Sequence, residues 1–250
     1  MGPVKAELNA SLKAGRDLTF DEAHALCETM LTGAWPDEQA ETLACAGPFA
    51  AGRQSMSELA MHHDALLAEL VRIVRATPWL FGLLEMVRNA APAGAYVAAG
   101  AVRDSVWNFL TGRASSGPHG DVDVVYWADS EAPDASRAHE ARLRAHRPDL
   151  DWEVTNQATI HLWHRRVQGR SSPPHQSVAE GLATWPETAT AVGVRLTPEG
   201  AIDVLAPLGL VDLFALRLRH NPAQAGLDVF WQRIEAKQWL RRWPELEVIV

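Results

Sequence analysis

Apolar residues recur at helical spacing through the first third of the chain. Leu8 and Leu12, then Phe20, Ala23, Leu26, Cys27, Met30 and Leu31, mark one face of successive helices. Thr19 with Glu22 three residues later forms a capping box, and Gly33 fits a C-cap. Trp35-Pro36-Asp37 opens another helix reaching about Phe49. Ser55 or Ser57 opens a third, carrying Leu59, Leu66, Leu67, Leu70 and Val71. Residues 1–76 therefore read as a small all-helical domain.

From Pro78 the pattern becomes mixed. Trp79 to Arg88 reads as a short helix, closed by Asn89-Ala-Ala-Pro-Ala-Gly94. Ala95 to Ala99 is a short strand, and Ala101 to Leu110 a helix stopped by Thr111-Gly112. Asp121 to Trp127 alternates acid with Val before turning apolar, the signature of a strand. Residues 131–147 are helical and heavily charged, and Trp152 to Thr155 is another strand. Val178 to Ala183 is a short helix. Ala191 to Leu196 and Ile202 to Leu205 are strands joined by the turn Thr197-Pro-Glu-Gly200. Leu210 to Leu218 and Phe230 to Trp239 complete the series as helices. Residues 77–250 thus form an α+β domain, a mixed sheet with flanking helices.

Composition sharpens this division. Nine of the ten Trp residues lie from Trp79 onward. Residues 1–65 hold four Lys or Arg against ten Asp or Glu, so this part is a poor nucleic-acid surface. The remainder is near neutral and can carry a local basic patch. Cys27 and Cys45 lie in helical patterns with no CxxC or Cys/His zinc spacing, and read as reduced, buried thiols. Without a signal peptide or a membrane-length apolar run, the expected location is cytoplasmic.

The candidate chemistry is concentrated in two pieces. Gly100 lies where a strand turns into a helix. With no Cβ there, a phosphate chain can approach the backbone, and the helix N-terminus offers N–H donors. Arg103, in the first helical turn, can reach phosphate or pair with a nearby acid. Asp121 and Asp123 follow, two carboxylates on one strand face with Val122 and Val124 on the other. Such a pair repels itself unless a cation intervenes, and its hard oxygens suit Mg²⁺. A third acid is expected from another strand. Asp151 and Glu153 share a face of the run around Trp152, and Glu153 lies deeper inside it. Its carboxylate is expected within roughly 5 Å of the Asp pair, close enough to share a metal. Asn156 and Gln157 are candidates for a base or sugar edge. His161, His164, Arg165, Arg166 and Arg170, with Trp163 among them, form a basic cluster suited to a triphosphate or an RNA end. His62-His63-Asp64 is a weak metal candidate, because neighbours on a helix diverge by about 100°.

Ala99-Gly100-Ala-Val-Arg103-Asp104 followed by Asp121-Val-Asp123 resembles the head of the tRNA CCA-adding enzymes and bacterial poly(A) polymerases, with their GGxVRD and DxD motifs. Residues 79–248 are also similar to a family of bacterial nucleotidyltransferase-like proteins. That likeness is carried by Val97 to Asn108, Asp121 to Tyr126, Trp152 to Ala158, Trp185 to Leu196 and Ala206 to Phe214. The resemblance implies a DNA polymerase β-like nucleotidyltransferase fold. It further implies Mg²⁺ on Asp121, Asp123 and Glu153 and a triphosphate facing Gly100 and Arg103; with Asn156 and Arg165, read above from their own positions, these make the expected NTP site. The reaction implied is transfer of a nucleoside monophosphate to an acceptor, whether RNA, protein or small molecule. The alternative is a catalytically inactive nucleotide-binding or regulatory module. Two features depart from the pattern: Ala99 replaces the first Gly of the pair, and the loop before Asp121 is long.

Residues 6–65 have a separate likeness. Leu12 to Leu26, Met30 to Gly33 and Gly52 to Ala60 resemble the helical N-terminal domain of anthranilate phosphoribosyltransferases and nucleoside phosphorylases. The glycine-rich phosphoribosyl loop of that family is missing from the chain. What the resemblance implies is assembly, as a homodimer through these helices.

Overall fold

The computed structural model describes residues 56–132, 134–163, 173–223 and 225–250. The helices expected before Met56, the Thr19 capping box, Cys27 and Cys45, and His164, Arg165, Arg166 and Arg170 lie outside the described residues. Met61–Val250 packs as one compact unit.

Two helices lead into this unit. Helix α1 spans Met56–Ala76 and α2 spans Pro78–Ala90. Thr77 separates them: its hydroxyl donates to the Ile73 carbonyl at 2.8 Å, and Pro78 occupies the start of α2, where a missing N–H costs nothing. Leu70, Ile73 and Val74 of α1 enter the same core as Leu80, Leu83, Leu84 and Val87 of α2. The α2 residues repeat at three- and four-residue steps, the spacing that buries one helical stripe.

The sheet has five strands: β1 (Tyr96–Ala98), β2 (Val122–Tyr126), β3 (Trp152–Asn156), β4 (Gly193–Leu196) and β5 (Ile202–Leu205). Their order is β3-β2-β1-β4-β5. Strands β2 and β3 are parallel, and the other neighbours are antiparallel. A parallel pair needs a crossover. Here it is helix α4 (Ala135–His146), reached after α3 (Gly100–Leu110) has followed β1. Every residue from Ala101 to Asn108 is buried, so the middle of α3 is enclosed on all sides. Trp107 is 0% exposed and donates its indole N–H to the Leu213 carbonyl at 3.1 Å.

Short helices α5 (Ile160–Trp163) and α6 (Val178–Ala183) follow β3. The C-terminal part departs from the expected pattern. Residues 210–218 are not one helix: α7 covers only Val211–Phe214, and Leu216 adopts the left-handed φ of 55°. The chain then enters β6 (Arg217–Arg219), which pairs in parallel with β7 (Glu247–Ile249). That partner lies about thirty residues downstream, beyond the reach of local periodicity. The last long helix, α8, runs Leu227–Lys237 and stops because Gln238 is left-handed, with φ 51° and ψ 37°. Helix α9 (Trp239–Arg242) continues from that break.

Candidate active site

Strand register builds an acidic row. Antiparallel pairing sets Ala98 of β1 opposite Asp123 of β2, and parallel pairing sets Asp123 beside Glu153 of β3. Residues side by side on adjacent strands project to the same face. Val122, Val124, Trp152 and Val154 fill the core on the other face. Asp121, one residue before β2, joins the row. One oxygen from each of Asp121, Asp123 and Glu153 lies within 4.8 Å of the others. Among the described residues this is the one group of three acids, histidines or cysteines close enough to share an ion. Glu153 is therefore the third acid near the Asp pair.

The electrostatics are those of a site short of positive charge. Burial pushes the Asp123 carboxyl up to about 7, with Asp121 and then Glu153 adding to the shift. Glu153, the most open of the three, is also raised, first by loss of hydration in the cleft and then by Asp121. Among the described residues one cation answers them directly: Lys237 Nζ lies 3.0 Å from Asp121 Oδ1. Three hard carboxylates with a lone ammonium beside them fit a divalent metal in both charge and donor chemistry.

Gly100 opens α3 at the end of the sheet that carries the acids. A Cβ built on it would meet nothing nearer than Arg103 Nη2 at 3.8 Å, an ordinary contact. Packing therefore does not demand a glycine. Its effect is to leave open the cradle over the first turn of α3. The preceding Ala99 is in a conformation that side chains rarely adopt, φ 51° and ψ −122°. It is followed by a helix whose first-turn N–H groups lack helical partners.

The acids and this turn share one cleft of about 330 Å³. Arg103 lines it but is committed to protein partners. Its Nε and Nη2 donate to Asp104 Oδ1 at 3.0 and 2.7 Å, and its Nη1 to Thr190 Oγ1 at 2.9 Å. Its guanidinium also lies 4.5 Å from the Trp239 ring. Asn156, expected at a base or sugar edge, does not line this cleft. Its Nδ2 donates to the Ala128 carbonyl, and its Oδ1 accepts from the N–H groups of Ala128 and Ala158. The side chain thus braces the end of β3. The neighbouring Gln157 does line the cleft, and packs where a Cβ on Gly181 would sit 2.1 Å from its Oε1. Of the His62-His63-Asp64 candidate, His63 and Asp64 join no metal-binding group among the described residues, and the side chain of His62 lies outside them. Arg165 lies outside the described residues.

The cleft's opposite wall went unread in the sequence. Arg233, Lys237, Trp239 and Arg242 line it from α8 and α9. Arg233 is held by Glu187, a fully buried acid, at 2.7 and 3.2 Å. The available signal was the four-residue step from Arg233 to Lys237, beside the apolar stripe of Phe230 and Ile234.

A mixed sheet with acids on adjacent strands and a strand–Gly–helix turn above them defines a nucleotidyltransferase fold of the DNA polymerase β type. A model of a family described as nucleotidyltransferase matches residues 85–248, and the chain belongs to that family. An NMR structure described as revealing a CCA-adding enzyme head domain aligns with a TM-score of 0.61 at 26% identity, covering 72% of this chain and 94% of that one. A chain from a structure of a tRNA-processing enzyme complex matches at a TM-score of 0.32 and 18% identity, over 55% of this chain and 35% of that one. No curated protein matches. No helix among the described residues is long and apolar enough to cross a membrane.

Proposed function

We propose that this nucleotidyltransferase is Mg²⁺-dependent and moves a nucleoside monophosphate from an NTP to an acceptor oxygen, releasing pyrophosphate. The observation that carries this reading is the meeting of Asp121, Asp123 and Glu153 within 4.8 Å. Mg²⁺ on these acids would offset their charge and that of the departing pyrophosphate. The rival reading, a nucleotide-binding module without catalysis, is disfavoured because the third carboxylate is at hand.

The chain's own groups divide the work. The cradle at Gly100 and the first turn of α3 receive phosphate oxygens. Gln157 lies in the wall where a sugar or base edge would rest. The acceptor oxygen attacks the α-phosphorus as the bond to the β-phosphate oxygen breaks. Glu153, on the wall shared by the cleft and a neighbouring hollow, takes the proton the acceptor gives up. Glu153, Thr155 and Ile160 line both the cleft and a neighbouring hollow of about 680 Å³, walled also by Ser136, Arg137 and Thr159. That hollow is assigned to the acceptor, because it meets the NTP cleft at the proton-accepting group. RNA, protein and small-molecule acceptors all present such an oxygen. Assembly as a homodimer is assigned to the N-terminal helices, on their resemblance alone.

The direct test supplies each labelled NTP, Mg²⁺ and a cell extract, and follows which fraction takes up label. Transfer should require Mg²⁺ and vanish in Asp123→Asn. Transfer that persists in that variant would overturn the assignment.

A further inference from the structure

The cations of the α8–α9 wall are unequally matched. Arg233 has Glu187 to itself. Arg103 and Arg242 share one acid: Asp104 accepts from Arg103 Nη2 at 2.7 Å but from Arg242 Nη1 only at 3.5 Å. Among the described residues, Arg242 Nε is buried without a partner. This wall therefore carries a guanidinium in excess, close to the start of α3, and an anion is what would complete it.

Lys237 lies between that wall and the acids. Its ammonium bonds Asp121 at 3.0 Å, while its backbone carbonyl accepts from Arg242 Nη2 at 3.1 Å. The left-handed Gln238 reverses the chain directly after it, so Lys237, Trp239 and Arg242 all line the cleft. A non-glycine residue in that conformation is held there by its surroundings, a strain that tends to be found at ligand sites. The Lys237 side chain is 43% exposed, so its four-carbon stem is free to swing. A divalent ion on Asp121 and an ammonium on the same carboxylate repel each other, and the mobile partner is the lysine.

We infer that Lys237 is a movable counter-ion: it neutralises Asp121 while the acids hold no metal, is expelled by a divalent cation, and then joins Arg242 in binding nucleotide phosphate. The inference rests on reading the three acids as a metal site. It makes metal and nucleotide respond in opposite directions to loss of one side chain, which a merely structural ion pair would not do.

The test uses the full chain with Lys237→Gln and Lys237→Arg, with melting temperatures confirming that both variants fold. Free Mn²⁺ is followed by electron paramagnetic resonance without nucleotide. Calorimetry in saturating Mn²⁺ then follows the best-bound of ATP, GTP, CTP and UTP. Lys237→Gln should bind Mn²⁺ about 3- to 10-fold more tightly, because a competing charge is gone. The same variant should bind nucleotide about 10-fold more weakly, because a charged phosphate contact is gone. Lys237→Arg should stay near the parent in both. Unchanged or weaker Mn²⁺ binding in Lys237→Gln overturns the counter-ion role, and unchanged nucleotide affinity overturns the transfer to phosphate. If the parent itself binds no Mn²⁺, the metal-site reading fails and the inference falls with it.

Discussion

Replacing Asp123 by Asn tests the electrostatics of the cleft without knowledge of the acceptor. In the metal-free protein, burial and two neighbouring acids push Asp123 from 3.8 up to about 7. The unfolded chain loses that proton near the ordinary value, so between these limits the folded state binds more protons. Stability from this group is fully present below about pH 4 and is lost as pH rises through about 7. The whole displacement corresponds to about 4 kcal/mol. Asp123 is only partly buried, and salt screens its neighbours, so about 2 kcal/mol is the expected cost near pH 8. Asn has almost the same shape and no charge, and removes that cost. For a unit of this size the melting temperature should rise by roughly 4–8 °C near pH 8 in EDTA. The gain should shrink toward about pH 5, where the parent is already largely protonated. Mg²⁺ should stabilise the parent and leave the variant unmoved. Scanning fluorimetry at both pH values, with EDTA and with Mg²⁺, measures all of this. Equal gains at the two pH values, or a parent indifferent to Mg²⁺, would refute the reasoning.

Four further outcomes are expected. Glu153→Gln should lower transfer by about 10²–10⁴-fold while NTP binding, measured by calorimetry, stays within a few-fold of the parent; lost binding would place Glu153 in NTP binding rather than proton transfer. Ala99→Gly should stabilise the fold by about 1 kcal/mol, since relief of backbone strain of about 1–3 kcal/mol outweighs the added chain entropy; a lower denaturant midpoint would show that the strain is absent. Trp107→Ala should cost about 3–5 kcal/mol by emptying the centre of the core, and a loss under about 1 kcal/mol would contradict the packing around α3. Removing residues 1–55 should lower the assembly state seen by light scattering and spare NTP binding; lost binding at unchanged mass would reverse that division of labour.

The acids were legible because their signal is local. Alternation around Val122 and Val124 gives the face of Asp121 and Asp123, and Trp152 and Val154 do the same for Glu153. Strand pairing was not legible, so the row from Asp123 to Glu153 depended on a register that only the fold supplies. Asn156 and Gln157 show the same limit. Adjacent polar residues at a strand end look alike in sequence, yet one amide bonds backbone while the other reaches the cleft. Arg103 was expected at phosphate or at an acid, and Asp104 and Thr190 hold it. The cationic wall was missed because its residues meet the acids only through contacts such as that between Lys237 and Asp121, 116 positions apart. The breaks at Leu216 and Gln238 escaped notice because neither residue type favours left-handed backbone.

That long separation has a consequence for how the molecule is made. The acidic row needs only the strands up to Asn156, and a nascent chain can pair them early. Helices α8 and α9 come roughly eighty residues later and bring the cations. For an interval during synthesis, the growing domain therefore carries three crowded carboxylates with no lysine beside them. Magnesium ions in the surrounding solution are then the available partner for the half-built sheet. A divalent ion bound there would act as a folding aid, steadying the row until the last helices close over it.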